Sequence, residues 1–342
     1  MQLLLSMRIL LAPIALLYGL LLKFRHWLYN CGVLSSYQAP VFTICVGNLE
    51  LGGTGKTPHA AYLLQHFLEL GEKPIFLSRG YHRQTTGYQV VQANSSSIEV
   101  GDEPLWIKTK FPQVTVVVCE NRKEGILALL KQFPETTLVI LDDAFQHRAI
   151  KPAFSLLLTP SEKPFWNNHL LPWGSLRDVH SAAQRADFIL QTKGINEKAT
   201  NNYMGIPMLD STMEYDSPCI AISNEKVKVA STKPWLAFCG IAQPQAFFDA
   251  CQDLSAQKIE TQAFPDHYAF SEEDLRQLQE KAKQKNALLI TTEKDWMRIK
   301  SLKSVDFQNL HVLPMKVRIK KETEFWKVID QSLQSFAHAK LS

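Results

Sequence analysis

Between positions 47 and 58 the chain reads Gly47-Asn48-Leu49-Glu50-Leu51-Gly52-Gly53-Thr54-Gly55-Lys56-Thr57-Pro58, with an apolar, β-branched run before it (40–46) and helically spaced residues after it (57–70). Strand, glycine loop and helix in that order make a phosphate cradle. Glycine amides close around phosphate oxygens, Lys56 neutralises the outer phosphates, and the Thr57 hydroxyl meets Mg²⁺ at the helix N-terminus. Gly52, Gly53, Thr54, Gly55, Lys56 and Thr57 are the expected contacts to ATP. The loop departs from the usual GxxxxGK[ST] spacing at Glu50, where the first glycine would stand. A second motif, Leu138-Val139-Ile140-Leu141-Asp142-Asp143, is an apolar strand ending in two carboxylates. A P-loop fold holds its magnesium at such a strand end, so Thr57, Asp142 and Asp143 are the expected Mg²⁺ set.

These groups need a scaffold, and the sequence supplies one by alternation. Short apolar runs at 74–77, 114–119, 138–141, 154–158 and 188–190 read as buried parallel strands, with helical spacing between them, for example at 122–132. Strands and helices that alternate in this way predict a doubly wound, mainly parallel α/β sheet of the P-loop NTPase kind. The 342 residues exceed the usual size of one core. We divide them into an N-terminal helix (1–36), a nucleotide-binding domain (37–232) and a smaller C-terminal α/β domain (233–342). In the last, strands are expected at 235–238, 288–291 and 312–315, helices at 244–254 and 271–285, and an amphipathic tail at 322–336 packed on the core in preference to a partner. The stretch 194–233 is polar and lacks a sustained period.

Composition excludes several classes. Hydrophobic residues at 46% and charged residues at 20% describe an ordinary globular chain, and the formal charge of +4 comes without a dominant basic block. A nucleic-acid partner is not expected. The six cysteines are scattered singly, without metal-ligand spacing, and read as reduced and mostly buried.

From Met1 to Leu22 the only charge is Arg8; Lys23, Arg25 and His26 follow, interleaved with Phe24, Trp27 and Tyr29. The uncharged run of residues 9–22 is shorter than the roughly 20 residues that cross a bilayer, and the aromatic and basic residues after it suit the headgroup level. We read a helix that docks on a membrane surface. A true span and a helix packed on its own protein are the alternatives; a cleaved signal peptide fits worst, because the start MQLLLSMR offers no basic n-region.

The phosphate loop alone leaves two functions open: a kinase acting on a small or lipid-borne hydroxyl, and a membrane-associated switch ATPase that acts on protein partners. Switch ATPases with such loops carry a signature lysine where this chain has Leu51, which favours the kinase. Further polar blocks then matter: Ser78-Arg79-Gly80-Tyr81, Gly101-Asp102-Glu103-Pro104, Ala144-Phe145-Gln146-His147-Arg148, Leu171-Pro172-Trp173-Gly174-Ser175-Leu176-Arg177-Asp178, Phe264-Pro265-Asp266-His267-Tyr268 and Thr292-Glu293-Lys294-Asp295. Together with GNLELGGTGKTP and the apolar start, these blocks resemble the tetraacyldisaccharide 4′-kinase family nearly end to end.

The resemblance implies ATP-dependent phosphorylation of the 4′-hydroxyl of a tetraacylated glucosamine disaccharide 1-phosphate. The product would be lipid IV-A, made at the cytoplasmic face of the bacterial inner membrane; a monomer is the default expectation. It further implies Asp102 as the base or orienting carboxylate, His267 as its support, and Lys56 at the transferred phosphate. Gln146 and His147 would lie beside the nucleotide. Arg79, Tyr81, Arg177 and Asp178 are its candidate phosphate or sugar contacts, although loop stabilisation would explain them equally. Asp178 stands where the family commonly has glutamate, so the reach of that carboxylate is one methylene shorter.

Overall fold

The computed structural model describes residues 11–194, 202–221, 233–300, 302 and 306–341. The expected anchor residues before position 11 and much of 194–233 lie outside them. A first helix, α1 (Ala12–Asn30), leads into a large sheet built from β1 (Phe42–Asn48), β2 (Pro74–Ser78), β3 (Gln89–Val90), β4 (Thr115–Val118), β5 (Leu138–Asp142), β6 (Phe154–Pro160), β7 (Phe188–Thr192), β8 (Asn202–Tyr203) and β9 (Ile206–Tyr215). Its helices are α2 (Lys56–Glu69), α3 (Ser97–Val100), α4 (Asp102–Lys110) and α5 (Arg122–Gln132). The second unit contributes β10 (Cys219–Ile220), β11 (Trp235–Cys239), α6 (Pro244–Leu254), β12 (Glu260–Ala263), α7 (Glu272–Gln284), β13 (Leu288–Thr292), α8 (Glu293–Ile299) and β14 (Leu310–Leu313). The chain then ends in β15 (Met315–Ile319) and α9 (Glu322–Leu341).

Strand order in the large sheet is β15-β9-β7-β6-β1-β5-β2-β4-β3, with β8 beside β9. Pairing is parallel from β9 through β4 and antiparallel at the edges. Because side chains alternate across a strand, β1 sends Phe42, Ile44 and Val46 into one buried cluster and Cys45 into another. The first cluster lies under α2, α4 and α9, through Leu63, Phe67, Leu105, Phe325 and Ile329; the second lies under α5, through Ile126 and Leu129. Both faces are thus covered, as the alternating pattern predicts. The amphipathic tail packs on this sheet, with Phe325 and Ile329 fully buried.

The smaller sheet, β10-β14-β13-β11-β12, is parallel apart from β10. Two findings differ from the sequence reading. The expected strand 312–315 is two strands in different sheets, because Pro314 offers no N–H to continue a ladder. β14 stays in the small sheet, and β15 crosses to pair with β9, so the last strand and helix join the large sheet rather than the unit drawn at 233–342. The second difference is β9 itself, a ten-residue strand inside the stretch read as irregular. Its polar positions Asp210 and Ser211 are buried between β7 and β15, which hides the strand from a hydrophobicity pattern.

Candidate active site

The phosphate loop runs from the C-terminal end of β1 into α2. Gly55 caps α2 with φ 86°, a left-handed backbone that a side chain resists, and a Cβ there would also press on Met213 Sδ at 3.0 Å. The irregular first half of the loop has a structural cause. Glu50 is buried rather than facing phosphate: its Oε1 accepts from Asn168 Nδ2 at 2.7 Å, and burial raises its carboxyl above the usual range. The Leu51 amide donates to Ser175 O (2.8 Å) and the Arg177 amide to Leu49 O (2.9 Å). The loop entrance is therefore strapped to the segment 168–177, which is why that segment's Arg177 arrives in the site.

Asp143 follows the end of β5 with φ 46°, and it gathers cations. Arg177 donates to both of its carboxylate oxygens, and Lys56 Nζ lies 3.8 Å from Oδ1. Burial pushes its carboxyl up, but the Arg177 hydrogen bonds and the Lys56 charge outweigh this and hold it below its ordinary value. Asp142 is the opposite case. Burial, then the neighbouring Asp143 charge, push it up to about 7, and the nearby Glu103 adds to the rise. Its Oδ1 is buried without a hydrogen-bond partner among the described residues, while Oδ2 accepts from Ser78 Oγ at 3.4 Å.

Arg122 and Asn48, which the sequence reading passed over, complete this half. The Arg122 guanidinium is buried against the acids and donates only to carbonyls, those of Glu120 (3.1 Å), Asp142 (3.2 Å) and Asp143 (3.4 Å). Its place in the first turn of a helix following a strand was the available signal. Asn48 Oδ1 accepts from Lys56 (3.3 Å) and from Arg177 (2.6 Å) and so sets the spacing of both cations. Gln146 donates to Asn48 O at 2.8 Å. His147 leaves its Nε2 buried and unpaired; burial, then Arg122, Arg25 and Arg79, push its imidazole down to about 4. Thr54 is likewise buried with an unpartnered hydroxyl.

Asp102 opens α4, and Gly101 before it takes φ 92°, with a Cβ position only 3.0 Å from Tyr81 O. The carboxylate meets the second unit: His267 Nδ1 lies 3.5 Å from Asp102 Oδ2, and Arg298 of α8 donates to the same oxygen at 2.8 Å. Lys294 sits beside His267 Nε2 (3.4 Å) and 3.9 Å from Glu103. Glu103, next to Asp102, is near enough to Asp142 for its charge to add to the rise there. Arg79 and Tyr81 are exposed on the β2–β3 connection, where His82 comes within 6.0 Å of the His267 ring.

Asp178 has a different place. It is fully buried; Oδ1 pairs with His26 Nε2 at 2.6 Å and accepts from the Val179 amide, while Oδ2 accepts from Arg185 at 3.0 Å. This carboxylate fastens α1 to the nucleotide-binding unit, and Tyr18 adds a bond to Arg177 O at 2.9 Å. Asp178 is too deep and too occupied to meet a sugar. The other side of α1 exposes Leu16 (67%), Leu17, Leu20, Leu21, Phe24 and Trp27. Among the described residues no helix is long and apolar enough to cross a membrane. A cavity of about 390 Å³ lies under α1, lined by Ala15, Leu16, Leu170, Trp173 and Val179, and the phosphate loop takes no part in it.

Comparison with known proteins gives this geometry a family. The model of the family described as tetraacyldisaccharide-1-P 4′-kinase matches residues 7–334. A tetraacyldisaccharide 4′-kinase from Flavobacterium psychrophilum is 38% identical, covering 94% of this chain and 96% of that one; its counterpart from Flavobacterium johnsoniae is 37% identical, covering 91% and 92%. The crystal structure of the "apo" form of LpxK from Aquifex aeolicus in complex with ATP superposes with a TM-score of 0.80 at 29% identity, covering 96% of this chain and 99% of that one. The chain belongs to the tetraacyldisaccharide 4′-kinase family.

Proposed function

We propose that this chain transfers the γ-phosphate of ATP to the 4′-hydroxyl of a tetraacylated glucosamine disaccharide 1-phosphate, yielding lipid IV-A in lipid A synthesis. The observation that carries the reading is a pair of polar clusters, Glu103 of the second being near enough to Asp142 of the first for its charge to act there. A lysine-bearing phosphate loop and two acids form the first, and the Asp102–His267 pair belongs to the second.

In this reading Asp102 accepts the proton of the 4′-hydroxyl as its oxygen bonds to the γ-phosphorus, and the bond from that phosphorus to the bridging β-phosphate oxygen breaks to release ADP. His267 supports the carboxylate. The transition state of such a transfer is loose, so much of the work is positioning and charge stabilisation. Lys56, Arg122 and Arg177 are the cations nearest the acids and serve that purpose. Gly52, Gly53, Thr54 and Gly55 wrap the phosphates, and Gln146 and His147 flank the nucleotide. Arg79 and Tyr81, exposed on the β2–β3 connection, are left as contacts to the sugar or its phosphate.

The donor set suits Mg²⁺. The Asp142 Oδ1 atom is buried with no partner among the described residues, and an oxygen-rich pair beside a threonine fits a hard cation. Among the described residues no three His, Cys, Asp or Glu side chains converge as a complete cage. Thr57, Asp142 and Asp143 would hold it, and when bound it would neutralise charge on the β- and γ-phosphate oxygens.

Docking of α1 on the cytoplasmic face of the inner membrane would bring the enzyme to its substrate. An acylated disaccharide does not leave the bilayer readily, each exposed methylene costing about 0.8 kcal/mol. The leucine, phenylalanine and tryptophan face of α1 supports this. The test is transfer of label from γ-labelled ATP to tetraacyldisaccharide 1-phosphate in detergent micelles with Mg²⁺. Labelled lipid from the wild type and none from Lys56→Ala is expected; no labelled lipid from protein that hydrolyses ATP would overturn the reading.

A further inference from the structure

The block Thr292-Glu293-Lys294-Asp295 and the turn of α8 after it have so far received no task, yet through Arg298 they reach Asp102 and His267. Asp295 is fully buried. It receives Thr292 Oγ1 at 2.7 Å and the Gly240 amide at 3.1 Å through Oδ2, and it holds Arg298 Nη1 at 3.0 Å through Oδ1. The same Nη1 donates to Gly240 O at 2.9 Å. Two anchors therefore fix the guanidinium plane before it meets anything outside its own unit, and the side chain is only 8% exposed.

The remaining donors point across the boundary between the two sheets. Nε donates to Asp102 Oδ2 at 2.8 Å, Nη2 lies 2.8 Å from the same oxygen, and Nη2 also donates to His267 Nδ1 at 3.0 Å. His267 itself stands on a residue with φ 59°, its amide bonded to Gly240 O at 3.1 Å. Arg298, Gly240 and His267 are thus one assembly, and it meets α4 at Asp102. Both donors converge on Oδ2, so Oδ1 of Asp102 has no protein hydrogen bond among the described residues and is the oxygen left to face an acceptor hydroxyl.

We propose that Arg298 is the positioning residue of the phosphoryl transfer: held by Asp295, it clamps the Asp102 carboxylate and the His267 ring in one geometry and directs Asp102 Oδ1 to the substrate. This rests on the function proposed above. A planar fork of donors is required for it, and a lysine cannot supply one, because its ammonium is a single point of charge on a flexible stem. Arg298 does not touch the reacting atoms. Its effect is on where the carboxylate and the ring stand.

The experiment compares full-length wild type, Arg298→Ala, Arg298→Lys, Asp102→Asn and the double variant Asp102→Asn/Arg298→Ala, using γ-labelled ATP and tetraacyldisaccharide 1-phosphate in micelles. Arg298→Ala is expected to lower kcat by about 100-fold, the scale of a misplaced catalytic group, with the KM for ATP unchanged. Guanidinium added to Arg298→Ala should restore roughly a tenth or more of the lost rate, and Arg298→Lys should recover only part. On the Asp102→Asn background the same alanine should cost less than about threefold, since the group it positions is already disabled.

A kcat near wild type in Arg298→Ala overturns the proposal. An equal loss on both backgrounds without guanidinium rescue does so too, because that is the pattern of a purely structural arginine. If the alanine variant does not fold, Arg298→Lys carries the test, and a kcat equal to wild type overturns the proposal. A reading independent of activity separates this claim from the proposed function: diethyl pyrocarbonate labelling of His267, mapped by mass spectrometry. Labelling should rise by about threefold or more when the Arg298 hydrogen bond to Nδ1 is removed, and an unchanged rate contradicts the clamp. Failure of the wild type to phosphorylate the lipid would strike the proposed function alone.

Discussion

The phosphate cradle draws on one continuous stretch, Gly47 to Thr57, and on the tip of the neighbouring parallel strand β5, whereas the Asp102 cluster joins two sheets through side chains 196 positions apart. In the cradle, backbone geometry does most of the work, and the cations Lys56 and Arg177 are tied to Asn48 and Asp143 within a single unit. In the Asp102 cluster, side chains do the work, and His267 remains half exposed. Binding of nucleotide and transfer of phosphate should therefore come apart under mutation: changes in the cradle should cost both, and changes across the boundary should cost transfer alone.

The sharpest contrast is between two substitutions. Lys56→Ala should lower transfer by about a thousandfold or more and weaken ATP binding, because the cation opposing the phosphates is gone. Asp102→Ala should lower kcat by about 10²- to 10⁴-fold, the range of a lost general base, and leave ATP affinity near wild type. Isothermal titration with ATP beside the label-transfer assay reads both. Loss of ATP binding in Asp102→Ala would erase the distinction between the two regions.

Legibility in the sequence follows the same division. The cradle could be read because a glycine loop between strand and helix is a local pattern, and Asp142–Asp143 because an apolar strand ends in charge. Asp102 and His267 had no local signal beyond a GDEP turn and an FPDHY block, and resemblance to the family identified them. Arg298 was missed, since a basic residue in the last turn of a short helix is what any helix favours. Asp178 was a candidate substrate contact through its place in the block 171–178 that resembles the family. Burial sends the two side chains to opposite destinations, Arg177 to Asp143 and Asp178 to His26. The crossing of β15 into the large sheet was hidden because strand pairing over such distances leaves no mark in a local pattern.

Smaller effects sharpen the comparison by probing a third place, the seat of α1. Asp178→Ala leaves His26 and Arg185 without their shared buried acid and should destabilise the protein by about 3 kcal/mol, lowering its melting temperature while ATP affinity stays near wild type. Removing residues 1–25 should weaken association with anionic lipid vesicles in a sedimentation assay far more than it weakens ATP binding. Unchanged vesicle binding would contradict docking through the leucine face.

The smallest effect concerns His59, buried in α2 behind the phosphate loop, with Nδ1 2.7 Å from Gly55 O and Nε2 2.9 Å from Ser211 Oγ. Burial lowers its imidazole from the ordinary 6.5 to about 4. Between those values the unfolded chain binds the proton and the folded one does not, so stability present above pH 6.5 is lost as pH falls toward 4. The slope attributable to this group is about 1 kcal/mol per pH unit within that window. Urea midpoints at pH 7, 6 and 5 should fall less steeply in His59→Gln than in wild type.

In the proposed mechanism, phosphoryl transfer is made by a carboxylate on the first unit held against a histidine of the second. The measurement that tests it most directly is single-turnover transfer of labelled phosphate to the tetraacylated disaccharide by wild type and Asp102→Ala, both loaded with ATP to equal occupancy. Labelled lipid is expected from the wild type and a trace at most from the variant, with ATP still bound. Equal transfer from both would contradict the mechanism, and would move the search for the base away from the boundary between the two sheets.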